Sequence, residues 1–167
     1  MHIDTYFDVA SNHVAVGLIP LLKKAKVEVF LREGKGVYSK EKEETNLYDY
    51  MIGKDFNIIG LTNLEQLSYS SNFLCIKNGV ILAVDVDRII KDVLKNLKNK
   101  ARDEPERYNK LLEQALKDYK NLKYEGKLFP HKKEMYEYDI DVYTVNVVNL
   151  TGGYGGPHCM TCALDRN

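Results

Sequence analysis

The sequence lacks any apolar run approaching the ~20 residues that a membrane-spanning helix needs. Its opening, Met1-His2-Ile3-Asp4, has neither the basic start nor the apolar stretch of a secretory signal. Charge of one sign is missing too: 24 Lys and Arg balance 24 Asp and Glu, and the sequence pI is about 6.9. That balance removes the electrostatic footprint expected of a polyanion-binding surface. Cysteine is scarce and odd in number, three in all, which excludes a disulfide framework as the organising device. These absences predict a soluble, cytoplasmic protein in a reducing compartment, with neither nucleic acid nor membrane as partner.

What is present suits a single globular domain over residues 1–167, since 44% of the residues are hydrophobic. Ile3, Thr5, Phe7 and Val9 alternate with His2, Asp4, Tyr6 and Asp8, the period of a half-buried strand. Ser11-Asn12-His13 supplies turn chemistry, and Val14 to Leu18 can return as a second strand. Val27 to Leu31 reads as a strand, Arg32 to Glu44 as a charged loop, and Thr45 as the cap of a helix running to about Met51. Phe56 to Leu61 is strand-like. Phe73 to Ile76 and Val80 to Val84 flank Asn78-Gly79, a strong hairpin signal because both turn residues tolerate positive φ. Cys75 falls inside that hairpin as a small buried hydrophobe.

From Asp87 the period changes. Ile89, Ile90, Val93, Leu94 and Leu97 recur at helical spacing, and Pro105 restarts a helix bearing Tyr108, Leu111, Leu112, Ala115, Leu116, Tyr119 and Leu122. A helical hairpin is predicted, its Lys- and Glu-rich outer faces solvated. Gly126 ends it, and the Tyr- and Val-rich segment from Tyr136 to Val148 returns to strand. Strands and short helices in alternation predict an α/β fold.

The tail concentrates the chemistry: Thr151-Gly152-Gly153-Tyr154-Gly155-Gly156-Pro157-His158-Cys159-Met160-Thr161-Cys162. Four glycines in five positions remove side chains where backbone must approach something closely. Cys159-x-x-Cys162 admits three readings. A structural zinc site needs four ligands, and no second pair at suitable spacing exists. A thioredoxin-like pair opens a helix after a strand, whereas this one lies near the end of the chain behind Gly-Gly-Pro-His. The third reading is a nucleophilic thiolate, which needs a basic or cationic neighbour to be formed near neutral pH. His2 and Asp4 offer such a neighbourhood: on an extended segment both leave the same face, roughly 6–7 Å apart.

Three segments resemble the arginine deiminase family of the guanidine-modifying pentein superfamily. Met1-His2-Ile3-Asp4-Thr5-Tyr6-Phe7 is similar to that family's His-Leu-Asp-Thr strand. Asn72 to Asp85 is similar to its hairpin, and Gly155-Gly156-Pro157-His158-Cys159-Met160-Thr161-Cys162 to its terminal cysteine motif. The resemblance implies a partial pentein α/β propeller, the C-terminal catalytic part of such an enzyme. It implies hydrolysis of arginine or a related guanidine through a thiouronium on Cys159, with His2 moving the protons and Asp4 holding the guanidinium. Gly155, Gly156 and Tyr154 are implied to line the substrate site, with no metal and no organic cofactor. His158 is expected to be a supporting loop residue, Cys162 a small buried one, and His13 and His131 ordinary loop histidines.

Three departures qualify the resemblance. The family's first half, which carries two further active-site acids, has no counterpart, so the chain is expected to be half of an enzyme, inert alone, and to bind an N-terminal half or itself. The helical hairpin at about 88–126 stands where the family has one short helix and is expected to be an insertion. Tyr154 occupies a position where the family has an arginine for the substrate carboxylate. Two other functional classes share the pattern: an amidinotransferase, which passes the same intermediate to an amine, and a non-catalytic subunit with an enzyme-derived fold.

Overall fold

The computed structural model describes residues 3–41, 44–125, 128–146 and 155–162. The first strand begins later than the alternation predicts. Ile3–Thr5 is a single 3-10 turn, closed by the Tyr6 N–H on the Ile3 carbonyl at 2.9 Å, so Asp4 projects from a turn and not from a strand. Strand β1 (Phe7–Ser11) follows, and β2 (Val14–Gly17) returns antiparallel to it. All four β2 positions are buried, as an apolar Val-Ala-Val run without a polar face requires.

Helix α1 (Ile19–Leu22) and strands β3 (Lys26–Val27), β4 (Phe30–Gly34), β5 (Val37–Lys40) and β6 (Thr45–Asn46) come next. The expected loop from Arg32 to Glu44 is therefore largely a hairpin, with Gly36 at φ +76° in its turn. Phe30, Leu31, Val37 and Tyr38 are all exposed, so no buried face imposes the alternation that would have marked these strands. Helix α2 (Leu47–Ile52) is capped by Asn46, whose side chain accepts the Asp49 N–H at 2.9 Å, instead of by Thr45. Strand β7 (Asn57–Gly60) then pairs parallel to β2, completing a sheet of order β1-β2-β7.

A second sheet repeats the plan. After α3 (Asn63–Leu67), strands β8 (Leu74–Lys77) and β9 (Val80–Val84) form the hairpin predicted at Asn78-Gly79, with Gly79 at φ +75°. Helices α4 (Val86–Asp103), α5 (Pro105–Glu125) and α6 (Lys133–Glu137) lead to β10 (Asp141–Val145), which pairs parallel to β9. The strand expected from Tyr136 starts at Asp141, because the residues before it form α6. Each sheet is thus an antiparallel hairpin whose second strand takes a parallel partner across a helical connection, and the architecture is mixed α/β. Among the described residues no helix is long and apolar enough to cross a membrane.

One hydrophobic cluster joins the two units. Ala10, Val16 and Ile59 from the first sheet meet Phe73, Ile81 and Ala83 around the second, with Ile90 and Leu94 of α4, Ala115 of α5, and Phe129 and Met135. Phe73 and Phe129 are fully buried and stack with ring centroids 6.3 Å apart. Full burial of such a side chain contributes roughly 1.5–3 kcal/mol.

Glu65 carries the polar part of this core. It is fully buried, and its carboxylate accepts the N–H of Thr62 in a capping box, the Phe129 N–H at 2.9 Å, and the Lys132 ammonium at 3.0 and 3.1 Å. A buried charge is tolerated only when so paired. Immediately after α3, Ser68, Ser70, Ser71 and Asn72 are also fully buried. The hydroxyls of Ser68 and Ser70 donate to the Leu64 and Glu65 carbonyls at 2.8 and 2.7 Å, which folds this polar segment back on α3.

Candidate active site

Asn72 is the anchor. Its Oδ1 accepts the Gly156 N–H at 2.6 Å and the Cys159 N–H at 3.2 Å, while its main-chain carbonyl accepts the His158 N–H at 3.2 Å. Two N–H donors converge on one side of the amide, so that side must be oxygen, and Nδ2 faces the Cys159 sulfur at 3.2 Å. A buried side chain thereby fixes the Gly155–Cys162 tail against the β8 side of the second sheet.

The glycines are needed for this seating. A Cβ on Gly156 would stand 2.7 Å from the Asn72 carbonyl oxygen, and one on Gly155 would stand 2.6 Å from the Cys159 Cβ. The close approach foreseen for the glycine run is, at these two positions, an approach to the chain's own Asn72 and Cys159.

Asp4 completes the cluster from the opposite end of the chain. Its Oδ2 lies 2.9 Å from His158 Nδ1 and accepts the Cys159 thiol at 3.2 Å. Burial alone would raise the Asp4 pKa, but contacts from Cys159, Asn72 and His158, with the His158 charge, hold it below the usual carboxylate range. Cys159 is exposed and shifts the other way: partial desolvation and the adjacent Asp4 carboxylate push its thiol up, against the Asn72 amide and the Gly156 N–H. At rest the sulfur is a thiol donating to Asp4, and an ionised sulfur there requires something to offset the Asp4 charge.

Asp8 on β1 belongs to the same electrostatic neighbourhood; the alternation puts it on the face of His2 and Asp4, but by itself assigns it no role. Burial pushes its carboxyl up to about 6; the Val9 N–H and the His158 charge oppose the shift, and the Asp4 charge adds to it. Its Oδ1 accepts the Val9 N–H at 2.8 Å.

The residues singled out from sequence fall into three groups. Asp4, Gly155, Gly156 and Cys159 come together, with His158 beside them. His2 and Tyr154 lie outside the described residues. Cys162 is exposed, not buried as expected, because the tail after Cys159 runs over the surface. Cys75 is half-buried, with its sulfur near the Ala10 and Lys77 carbonyls. His13 tilts against Phe56, and the exposed His131 lies 3.9 Å from Asp85, both away from the cluster. Asn72 was missed as a site residue; the signal available was a polar, uncharged run, Ser68 to Asn72, between two apolar segments.

Comparison with known proteins gives a consistent picture. A family model described as arginine deiminase matches residues 1–166. An arginine deiminase of Halobacterium salinarum is 24% identical over 185 residues, an alignment that takes in 99% of this chain and 30% of that protein. The chain therefore spans less than a third of the length of the relative it matches.

Proposed function

This chain belongs to the arginine deiminase family, and we propose that it carries the nucleophile-bearing part of a guanidine hydrolase whose remaining active-site acids lie on another segment or chain. One observation carries the reading: the Cys159 sulfur sits 3.2 Å from both the Asp4 carboxylate and the Asn72 amide, on a tail seated by Asn72. The repeated hairpin-plus-parallel-strand unit supports two modules of a pentein ring, with the other modules supplied from outside these residues.

In this reading a guanidinium cation pairs with Asp4 and offsets the charge that keeps Cys159 protonated. The thiol proton passes to His2, and the thiolate forms a bond to the guanidinium carbon. The carbon–nitrogen bond breaks as His2 returns the proton to the departing ammonia, leaving a thiouronium on Cys159. Water then adds with His2 taking its proton, the carbon–sulfur bond breaks, and the thiolate is reprotonated. Arginine and water would give citrulline and ammonia. Arginine is the family's substrate by name, and Tyr154 in place of the carboxylate-binding arginine makes other guanidines worth testing beside it.

The experiment supplies the N-terminal part of an arginine deiminase in trans and follows ureido product. Activity should appear on mixing, vanish with Cys159→Ser and largely persist with Cys162→Ser. Activity lost with Cys162→Ser and kept with Cys159→Ser would replace this reading with a redox one.

A further inference from the structure

Buried polar atoms in proteins are almost always hydrogen-bonded, so each exception calls for an explanation, a catalytic role or a bound group among them. Among the described residues only three buried side-chain oxygens have no partner: Asp4 Oδ1, Asp8 Oδ2 and Ser71 Oγ. Two of them belong to carboxylates that both feel the charge of His158, and Asp8 feels that of Asp4 as well. The third precedes Asn72, the residue that holds Cys159.

The two carboxylates are half-committed in the same way. Asp4 Oδ2 is occupied by His158 and Cys159, and Asp8 Oδ1 by the Val9 N–H, so each has one buried oxygen left. The histidine sits on the committed oxygen of Asp4, and among the described residues no lysine or arginine bonds to either carboxylate. Two unsatisfied acceptors on carboxylates, one of which holds the Cys159 thiol, favour a cation, and one with donors on more than one edge. A planar guanidinium or amidinium has that arrangement, whereas a neutral amide lacks the charge.

We propose that Asp8 is a second substrate-binding carboxylate, and that a guanidinium or amidinium group seated above Cys159 is shared between Asp4 Oδ1 and Asp8 Oδ2. This rests on the reading of Cys159 as a guanidine-directed nucleophile and adds a contact to it. Asp8 supplies from within this chain part of the negative charge that a guanidinium needs.

The test compares alkylation of the intact chain by chloroacetamidine, which is cationic, and by chloroacetamide, its neutral analogue. In each case the cysteine sulfur displaces chloride, and peptide mass spectrometry reads Cys159 and the exposed Cys162 separately. Wild-type Cys159 should prefer the amidine relative to Cys162. Asp8→Asn, which keeps the shape and removes the charge, should cut that preference at least about tenfold, as loss of a charge-assisted contact does, the preference being read as the ratio of amidine to chloroacetamide rates within each variant. If wild-type Cys159 shows no preference over Cys162, the guanidine reading fails and takes this one with it. A preference that survives Asp8→Asn overturns the role of Asp8 alone. Should that variant fail to fold, a titration of the wild-type chain with guanidinium chloride at low millimolar concentration decides the point. The Asp8 carboxyl ¹³C resonance should move together with that of Asp4, and a stationary Asp8 resonance overturns the proposal.

Discussion

The thiol of Cys159 donates to the carboxylate of Asp4 across 3.2 Å, which joins residues 155 positions apart in sequence and fixes where the proton rests before any ligand arrives. A carboxylate in this position keeps the sulfur protonated. Asp4→Asn should therefore lower the Cys159 pKa while removing the group proposed to hold the guanidinium. The rate of alkylation by neutral iodoacetamide, followed against pH, measures it. An apparent pKa that stays put or rises in Asp4→Asn would show that the thiol does not lean on Asp4.

Asn72 seats the tail through Gly156, His158 and Cys159. Asn72→Ala leaves buried N–H groups without acceptors and should cost about 1–3 kcal/mol for each group that finds no water. Gly156→Ala should unseat the same tail by the 2.7 Å clash with the Asn72 carbonyl, whereas Gly34→Ala, where a Cβ meets nothing within 4 Å, should be near neutral. Amide hydrogen exchange at Gly156 and Cys159 reports the effect. Unchanged protection in both site variants would mean that the tail is held elsewhere.

How much of this was legible beforehand depends on where the physical signal lay. The Asn78-Gly79 hairpin and the α4–α5 pair were readable because turn chemistry and a 3.6-residue apolar period are local properties. The β4–β5 hairpin was not, since strands exposed on both faces carry no alternation. The capping box of Thr62 and Glu65 was not read from the sequence, and its larger role, binding Phe129 and Lys132, is tertiary. At the site, Cys159 and Asp4 were drawn together by family resemblance. The strand geometry invoked for Asp4 does not apply, because it stands on a 3-10 turn. Asn72 and Asp8 stayed hidden because their roles come from burial, which no local pattern encodes.

The Glu65 and Lys132 pair is fully enclosed, with side-chain exposures of 0% and 8%. Lys132→Met strands the carboxylate and should destabilise by about 3–5 kcal/mol, and adding Glu65→Gln to it should recover part of the loss. Urea midpoints of the single and double variants check this. A single variant as stable as wild type would show that the pair contributes no specific stabilisation.

Asp8 makes a pH prediction with a definite sign. Its folded pKa, about 6, is raised above the ordinary carboxylate value of 3.8, so its protonated form is favoured by folding. Its contribution to stability is full below about pH 4, declines as pH rises through about 6, and is absent above that. Subtracting the stability profile of Asp8→Asn from that of wild type should isolate a fall across this window. A difference that is flat, or that rises with pH, contradicts the buried, unpaired carboxylate.

The most direct test of the central claim is the covalent intermediate itself. The chain is mixed with a complementary N-terminal part of an arginine deiminase, incubated with arginine, quenched in acid within the first turnovers, and digested for mass spectrometry. The account predicts that the peptide containing Cys159 carries the mass of arginine less ammonia, that Cys162 in the same peptide is unmodified, and that Cys159→Ser shows no adduct. Citrulline formed at an undiminished rate by Cys159→Ser, with no adduct at any time in the wild type, would contradict it.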